Sequence, residues 1–266
     1  MTPDAIYQAF HAARRAARAL PAYPADAVPA TLDAAYAMQG ASIAAWPDDV
    51  VAWKVAAIQP QWRTQYPAER LSGPVFARGL YVAKSPEEPV DVAIIPGGYA
   101  AAEAEFAVRI GANFPLHTTF ATAAELLPFV GAVHAAIELA GSPLSTLGSL
   151  GPGAVISDFG NNLGLVIGPE LPGFFAREAD AWPAETDVNG VLAGSGSAGR
   201  IPGGPLAAVH FLANSLVARG MTLRPGDWVS TGASTGMHVL AVGDTVAVRF
   251  DGKPAIALRV GAAQPA

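Results

Sequence analysis

The sequence predicts an α+β protein: a mostly β domain with a few inserted helices, preceded by a small helical region. Two segments near the N-terminus, residues 2–20 and 31–46, carry apolar residues at helical spacing. From about residue 80, short β-like runs alternate with Gly and Pro. Strands and helices do not alternate regularly, so a doubly wound sheet is not indicated. We therefore divide the chain into an N-terminal helical region with the first strand, residues 1–75, and a mixed β domain, residues 76–266.

The composition limits the class of function. The chain has 266 residues, of which 52% are hydrophobic and 14% charged. So little charge suggests that much apolar surface is covered, and we expect a homo-oligomer. The net charge is −6 and there is no basic run, so no nucleic-acid partner is expected. The chain has no cysteine, which excludes disulfides, thiolate zinc sites and a cysteine nucleophile.

The N-terminal residues do not resemble a secretory signal. Ile6, Tyr7 and Phe10 are followed by several basic residues, so no long apolar core forms. No run of about 18 apolar residues predicts a membrane span. We expect a cytoplasmic protein with no membrane partner.

The helical region begins with two capped helices. Thr2 and Thr31 precede the two periodic segments and are the predicted N-caps, while Pro21 and Pro24 end the first helix. A strand is predicted at 50–58, followed by a mobile loop over 59–80.

The remaining elements follow from apolar runs and turn residues. A Gly-rich loop at 194–199 lacks the sequence context of a nucleotide-binding loop. Helices are predicted at 122–129 and 205–219, and strands at 90–95, 101–110, 129–139, 163–167, 188–192, 228–231, 245–250 and 255–260.

Glu103 and Glu105 are the central candidates for a site. Two residues apart in a strand, their side chains share one face, opposite Ala104 and Phe106. Two carboxylates this close repel each other, and a divalent cation is one way to stabilise the pair. The alternative is an edge strand with a solvated acidic face. Spacing alone favours that alternative, because exposed carboxylates are the rule.

Three other features bear on this choice. Glu138 is the one carboxylate of the 129–139 strand, and is either a rim residue or a ligand. Lys54 is the one charge in the 50–58 strand, and is either buried with a partner or extended to solvent at the strand edge. The arginines of the predicted loop could each neutralise an anionic ligand, although solvated arginines are the commoner case; they are Arg63, Arg70 and Arg78.

The order of these motifs resembles the 2-keto-4-pentenoate hydratase and 4-oxalocrotonate decarboxylase family of the fumarylacetoacetate hydrolase superfamily. The resemblance spans roughly residues 1–260. It rests on these segments: Ala52-Trp53-Lys54-Val55-Ala56, Glu103-Ala104-Glu105-Phe106, Val133–Glu138, Ile156-Ser157-Asp158, Leu165–Gly168, Gly194–Ala198, Gly204–Asn214 and Leu223–Ala233.

The resemblance implies a fold and a site. The fold would be a mixed β roll of the fumarylacetoacetate hydrolase type. Glu103, Glu105 and Glu138 would hold Mg²⁺ or Mn²⁺, and Lys54 would act as an acid/base on a 2-oxo acid substrate. The candidate substrate-binding residues are Arg78, Asp158, Asn161 and Ser195.

The chain also departs from the family pattern. An Asp-Ser-Arg motif usually follows the third glutamate, whereas this chain has Ala140-Gly141-Ser142-Pro143. The usual Asp-Asn-Ala-Ser motif is Asp158-Phe159-Gly160-Asn161 here, so Asn161 stands at the serine position. The acidic residue expected near residues 75–79 is not evident. These departures leave the metal ligands intact and change their surroundings.

The resemblance favours a metal-dependent hydratase, a lyase that adds water to a 2-hydroxy-dienoate of the 2-oxo-pentenoate type through a metal-bound enolate. The same enolate chemistry would serve a decarboxylase of a 2-oxo-dienedioate or a C–C hydrolase of an acylpyruvate. A different alternative is a non-catalytic partner subunit of a hydratase–decarboxylase complex. Loss of the family arginine argues mildly against a second substrate carboxylate.

Overall fold

The computed structural model of the chain describes residues 2–265 and confirms the predicted mixture of sheets with few helices. Within these residues no helix is long and apolar enough to cross a membrane. The α-helices are α1 (Pro3–Arg15), α2 (Leu32–Ala45), α3 (Pro152–Ser157) and α4 (Gly204–Ala218). The strands are β1 (Val50–Ala57), β2 (Arg70–Phe76), β3 (Leu80–Val82), β4 (Val90–Ile94), β5 (Tyr99–Ile110), β6 (Val130–Ser142), β7 (Asn162–Glu170), β8 (Pro183–Val188), β9 (Val191–Ser197), β10 (Trp228–Ser230), β11 (His238–Val239), β12 (Thr245–Phe250) and β13 (Lys253–Ala262).

The strands form two mixed sheets. The larger sheet has eight strands in the order β2-β1-β10-β5-β6-β7-β3, with β11 also paired to β5. The smaller sheet has five, in the order β4-β13-β12-β8-β9. Each sheet combines parallel and antiparallel pairs; β1–β10 and β4–β13, for example, are parallel. One large apolar core joins the sheets and α4, and it includes Phe106, Val209 and Val248.

The two N-terminal helices begin at the predicted caps. The side chains of Thr2 and Thr31 each accept a hydrogen bond from the backbone N–H three residues later, at 3.4 and 3.2 Å. The first helix ends at Arg15, earlier than predicted. Ala17 adopts a left-handed φ of 48°, and its N–H donates to the carbonyl of Arg14. This left-handed cap ends the helix before the prolines are reached.

The predicted loop over 59–80 is wrong in its second half, because β2 occupies residues 70–76. Gly73 and Pro74 lie within this strand, and both residue types are uncommon in strands, so the local sequence does not predict it. Pro74 is tolerated because β2 lies at the end of the strand order, where a missing backbone N–H costs no interior pairing.

The segment 183–200 also differs from the prediction. The predicted strand over 188–192 is the turn region of a hairpin between β8 and β9. Asn189 and Gly190 form the turn, with φ of 53° and 76°. Asn-Gly is a strong signal for such a turn, because both positions require positive φ. The predicted Gly-rich loop therefore begins as strand β9, which runs to Ser197.

The proposed division of the chain at residues 75 and 76 falls inside β2. Strand β1, assigned to the N-terminal region, pairs with β10 in the large sheet. The helices α1 and α2 instead contribute to a separate apolar cluster, with Ile6, Phe10 and Met38 packed against Leu144 and Leu147. The two-region division stays a prediction.

A pair of glycine substitutions tests the close approach of β2 to the segment after α3. A Cβ at Gly73 would lie 2.2 Å from the Phe159 carbonyl oxygen, so Gly73→Ala should lower the free energy of unfolding by about 1–3 kcal/mol. A Cβ at Gly40, inside α2, would have no atom within 4 Å apart from the adjacent backbone of its own helix, so Gly40→Ala should raise the free energy of unfolding by roughly 0.5–1 kcal/mol. Urea titrations measure both values. Equal stability of the two variants would contradict the close packing at Gly73.

Candidate metal centre

The three predicted glutamates meet in the large sheet. Glu103 on β5 lies directly opposite Glu138 on β6, and Glu105 follows on the same face as Glu103. Oxygen atoms of the three carboxylates all lie within 4.8 Å of one another, and all three residues are buried. Ala104 and Phe106 face the apolar core, as the alternation predicts. A solvated acidic face is therefore wrong for this strand.

Lys54 is the positive charge beside this cluster. Its ammonium nitrogen lies 3.1 Å from Glu138 Oε1, and the residue is 3% exposed. Its strand β1 pairs with β10, where Lys54 is opposite Ser230. Of the two interpretations that the sequence allows for Lys54, the structure has the buried lysine with a partner.

Two of the carboxylates accept hydrogen bonds through only one of their two oxygen atoms. Glu105 Oε2 accepts hydrogen bonds from the Ser230 hydroxyl and from the Gly232 N–H, the latter at 2.8 Å. Glu138 Oε1 accepts from the Asn162 side-chain amide at 3.2 Å. Within residues 2–265, the other oxygens, Glu105 Oε1 and Glu138 Oε2, are buried without a hydrogen-bond partner. Buried acceptors of this kind are costly unless a ligand satisfies them.

A divalent cation fits these residues. When all three carboxyl groups are ionised, they and the Lys54 ammonium leave two net negative charges in a buried space, which one divalent cation neutralises. Hard cations such as Mg²⁺ and Mn²⁺ prefer oxygen ligands, and carboxylate oxygens are the atoms that the protein leaves free. Glu103, Glu105 and Glu138 are thus the residues able to hold such an ion.

Burial and neighbouring charges shift the pKa values of the residues in the cluster. Burial, followed by repulsion from Glu138, raises the pKa of Glu103 to about 8. Burial and the neighbouring glutamates raise the pKa of Glu105 well above its usual range, despite the hydrogen bonds from Ser230 and Gly232. Burial alone would lower the pKa of Lys54, but the three carboxylates together raise it above its ordinary value. Lys54 therefore stays protonated beside the glutamates.

A cavity of about 640 Å³ opens on the cluster. Its walls are mostly apolar side chains and glycines. Lys54 and Glu103 line it together with Tyr99 and Asn161, and two further cationic side chains, Arg70 and Arg200, also line it. A small organic acid with one or two carboxylates would match this combination of apolar walls and cationic groups.

The four predicted substrate-binding residues occupy different places. Asn161 lines the cavity. Asp158 is buried, and its carboxylate pairs with Arg14 at 2.7 Å. Arg78 and Ser195 are exposed, one after the edge strand β2 and the other on β9. In the described residues, neither these two nor Asp158 contributes to the cavity lining, and substrate binding by them stays a prediction.

Other residues at the site were not predicted from the sequence. Tyr99 lies four residues before Glu103 on the same strand face, so the alternation that selected the glutamates also selects it. In the sequence, Arg70 is one of several arginines in a segment predicted to be a loop. Asn162 and Ser230 carry no sequence signal, because their contacts with the glutamates come from strand pairing between distant segments.

The mixed fold with a buried carboxylate triad defines a class of metal-binding enzymes. The chain belongs to the fumarylacetoacetate hydrolase family, since residues 52–261 match the family described as Fumarylacetoacetate (FAA) hydrolase C-terminal. This agrees with the resemblance seen in the sequence motifs.

Individual relatives refine the comparison. A segment of 73 residues is 33% identical to the 4-oxalocrotonate decarboxylase of Pseudomonas putida and spans 28% of that relative's length. The solved 4-oxalocrotonate decarboxylase from Pseudomonas putida G7, complexed with magnesium and adipate, superimposes with a TM-score of 0.78 at 19% identity over 98% of each chain.

A second solved relative has a different activity. The fumarylpyruvate hydrolase from Pseudomonas aeruginosa, in complex with Mn²⁺ and pyruvate, superimposes with a TM-score of 0.59 at 16% identity. That match covers 80% of this chain and 89% of the hydrolase. At these identities the similarity to the solved structures shows a shared fold.

The raised pKa of Glu103 predicts how the stability of the metal-free protein depends on pH. The folded state holds a proton up to a pKa of about 8, whereas the unfolded state releases it near 4.5. Stability from this group is complete below pH 4.5 and is lost as pH rises through 8, by up to about 1.4 kcal/mol per pH unit. Denaturant titrations of the chelator-treated protein measure this slope. Glu103→Gln should flatten it, while the exposed-residue control Glu88→Gln should not. An equal slope in the wild type and in Glu103→Gln would contradict the assignment.

Proposed function

We propose that the chain is a divalent-metal-dependent lyase that acts on a 2-oxo acid through its enolate. The observation that carries the proposal is the buried triad of Glu103, Glu105 and Glu138, paired with Lys54 at a mostly apolar cavity. When bound there, Mg²⁺ or Mn²⁺ would supply Lewis-acid chemistry, withdrawing electron density from the 2-oxo acid.

Lys54 has the charge that such a reaction needs. Because its pKa is raised by the glutamates, the protonated ammonium can stabilise negative charge that develops on the substrate oxygen. It can also donate the proton that converts the enolate into the enol. The mostly apolar walls lower the local dielectric, which strengthens both interactions.

We further propose that the substrate is a 2-oxo-enedioate, the keto form of a 2-hydroxy-dienedioate, and that the reaction is decarboxylation. Arg70 supports a second carboxylate. Its side chain is 10% exposed, and its charged partner Glu69 is 3.7 Å away and 75% exposed. The guanidinium also donates to the Pro202 carbonyl, but no buried carboxylate neutralises it within the described residues. A buried, weakly paired guanidinium in an apolar wall favours binding of an anion.

The position of Arg70 suits a substrate of this length. Arg70 pairs with Ala57, three residues beyond Lys54 on β1, which is about 10 Å along the strand. With one end of the substrate at the glutamates, the distal carboxylate would lie toward Arg70. Breaking the bond between that carboxylate and its neighbouring carbon sends the electron pair into the conjugated 2-oxo system. CO₂ then leaves, and a 2-hydroxy-dienoate remains after protonation.

Hydration of a 2-hydroxy-dienoate is the second candidate. The segment Ala140–Pro143 lacks the acid and arginine of the family pattern, which favours a substrate with one carboxylate. In this reaction Lys54 would move a proton between carbon and the enol oxygen, and water would add to the conjugated double bond. Hydrolysis of an acylpyruvate and a non-catalytic partner subunit are the other outcomes to be distinguished.

A glutamate variant and a Lys54 variant should differ in whether they lose metal binding or turnover. Glu103→Gln should lower Mn²⁺ affinity at least tenfold, because it removes a charged oxygen ligand. Lys54→Met should keep Mn²⁺ binding and lower turnover by about 10²–10⁴-fold, the usual contribution of a general acid. Isothermal calorimetry measures affinity, and the exposed-residue variant Glu87→Gln is the control. Absence of Mn²⁺ binding by the wild type would contradict the enzyme proposal.

The product assays decide which reaction is catalysed. CO₂ released from 2-oxohex-3-enedioate indicates the decarboxylase. Loss of the ultraviolet absorbance of 2-hydroxypenta-2,4-dienoate indicates the hydratase, and pyruvate released from an acylpyruvate indicates the hydrolase. Metal binding without turnover in any assay would support the partner subunit.

Arg70→Gln should raise KM for a dicarboxylic substrate more than KM for a monocarboxylic one. Removing a hydrogen-bonded charge costs about 1.5–3 kcal/mol, so KM for the dicarboxylic substrate should rise roughly 10- to 100-fold. KM for the monocarboxylic dienoate should change by less than about twofold, because it has no distal carboxylate. Arg63→Gln is the matched control, since Arg63 is exposed and donates to the Ile58 carbonyl at 2.8 Å. An equal change in both KM values would exclude Arg70 as the distal carboxylate site.

A further inference from the structure

A left-handed turn between α3 and β7 adjoins the candidate metal centre. Phe159, Gly160 and Asn161 have φ of 53°, 70° and 62° in succession. Two of the three are not glycine, and this conformation costs a non-glycine residue about 1 kcal/mol or more. Contacts with the rest of the protein must therefore hold the turn, which we call the 158–162 turn because it runs from Asp158 to Asn162.

Consecutive residues of the 158–162 turn contact separate parts of the site. A Cβ at Gly160 would lie 3.3 Å from Lys54 Cδ, so the turn packs directly against the lysine. Asn161 lines the cavity. Asn162 donates its side-chain amide to Glu138 Oε1 at 3.2 Å, the same oxygen that pairs with Lys54. A shift of this turn would therefore move the lysine, a cavity wall and one carboxylate together.

Arg14, on the N-terminal helix α1, holds both ends of the turn. Its Nε donates to Asp158 Oδ1 at 2.7 Å, and its Nη1 donates to the Asn162 carbonyl at 3.0 Å. Its Nη2 donates to the Gly141 carbonyl at 3.2 Å, on the strand that carries Glu138. The Arg14 side chain is 8% exposed and the Asp158 side chain is fully buried.

The aromatic ring within the turn adds to this attachment. The Phe159 ring lies 5.3 Å from the Arg14 guanidinium carbon and stacks on His11, also from α1, at a centroid distance of 5.4 Å. Helix α1 thus contacts the turn through a guanidinium and an aromatic stack, although the two segments are more than 140 residues apart in the chain.

We propose that Arg14 is a positioning residue of the metal centre: by bridging Asp158, Asn162 and Gly141, it sets the orientation of Glu138 and Lys54. This inference rests on the proposed function. It gives Asp158 a role as the partner of Arg14, different from the substrate contact predicted from the sequence. It also makes helix α1 a functional part of the site, because residues that orient metal ligands affect metal affinity directly.

The chemistry of the contact requires an arginine. The guanidinium offers planar, fixed donors that reach one carboxylate and two carbonyls at once. A lysine could neutralise Asp158 but could not bridge the three acceptors. Arg14→Lys should therefore restore only the charge balance, and Arg14→Gln should lose both charge and bridging.

The test compares Arg14→Gln with two controls in the full-length protein. Arg15→Gln removes a neighbouring exposed charge from the same helix. Arg219→Gln removes another partly buried arginine, which donates to Gln39 Oε1 on α2 at 3.0 Å and to Ser72 Oγ on β2 at 3.2 Å. Mn²⁺ affinity is measured by calorimetry, well below each variant's melting temperature. We expect Arg14→Gln to lose about tenfold or more in affinity, Arg14→Lys to lose nearly as much, and both controls to stay within twofold.

A double variant separates positioning from stability. Arg14→Gln leaves Asp158 buried and charged, which destabilises the fold. Adding Asp158→Asn removes that charge, so the melting temperature should recover in part while Mn²⁺ affinity stays low. Recovery of affinity together with stability would overturn the proposal, as would an equal loss of affinity in Arg219→Gln or an unchanged affinity in Arg14→Gln.

Amide hydrogen exchange supplies a measurement that needs neither metal nor substrate. The N–H groups of Gly141 and Asn161 donate within this region, to the carbonyls of Asn161 and Asp158 at 2.7 and 2.9 Å. Arg14→Gln should speed exchange at these two amides selectively, and Arg219→Gln should not. The two proposals can fail independently of each other. If the wild type binds Mn²⁺ but turns over no 2-oxo acid, the proposed reaction fails, while the Mn²⁺ affinities of the Arg14 variants still decide the role of Arg14. If it binds no Mn²⁺, the proposed function fails, and unchanged exchange at these amides would overturn the positioning role as well.

Discussion

The site is governed by the cost of burying three like charges. Glu103 and Glu138 are direct cross-strand neighbours, an arrangement that repels in any sheet and more strongly in a buried one. Lys54 offsets one charge, and hydrogen bonds to Glu105 and Glu138 hold one oxygen of each. What remains is a net negative space with free carboxylate oxygens, which is the environment that a divalent cation stabilises. The function that we propose follows from this electrostatic imbalance.

The surroundings of the triad divide into two kinds of support. Strand pairing fixes the glutamates: β5 and β6 form a long antiparallel pair in the middle of the large sheet, so their register leaves little freedom. Irregular backbone fixes the rest, because the 158–162 turn and the segment after β10 bring Asn162 and Gly232 onto the carboxylates. Such segments keep their conformation through contacts with the rest of the protein. The hydrogen bonds of Arg14 are among these contacts, so the geometry of the site depends in part on helix α1.

In the function that we propose, the charged cluster and the cavity walls have different roles. The triad and Lys54 provide the means to stabilise an enolate, which several reactions of 2-oxo acids share. In the function that we propose, selection among those reactions depends on the cavity walls, where Arg70 and Arg200 lie among apolar residues. Arg70 belongs to an edge strand that contains Gly73 and Pro74, so the sequence does not predict the strand or the place of Arg70 in the cavity wall.

Much of the site could be predicted from the sequence by itself, because period-two alternation places Glu103 and Glu105 on one face and the motif order identifies Glu138 and Lys54 as their partners. Most strands, the N-caps at Thr2 and Thr31 and the long helix α4 also follow from local patterns. The tertiary structure alone decided three things: the 3.1 Å pairing of Lys54 with Glu138, the contact of Arg14 with Asp158, and the place of Arg70 in the cavity wall. All three join segments far apart in the chain. Local spacing carries no information on such contacts, since they depend on strand order and on how the turns bring side chains together.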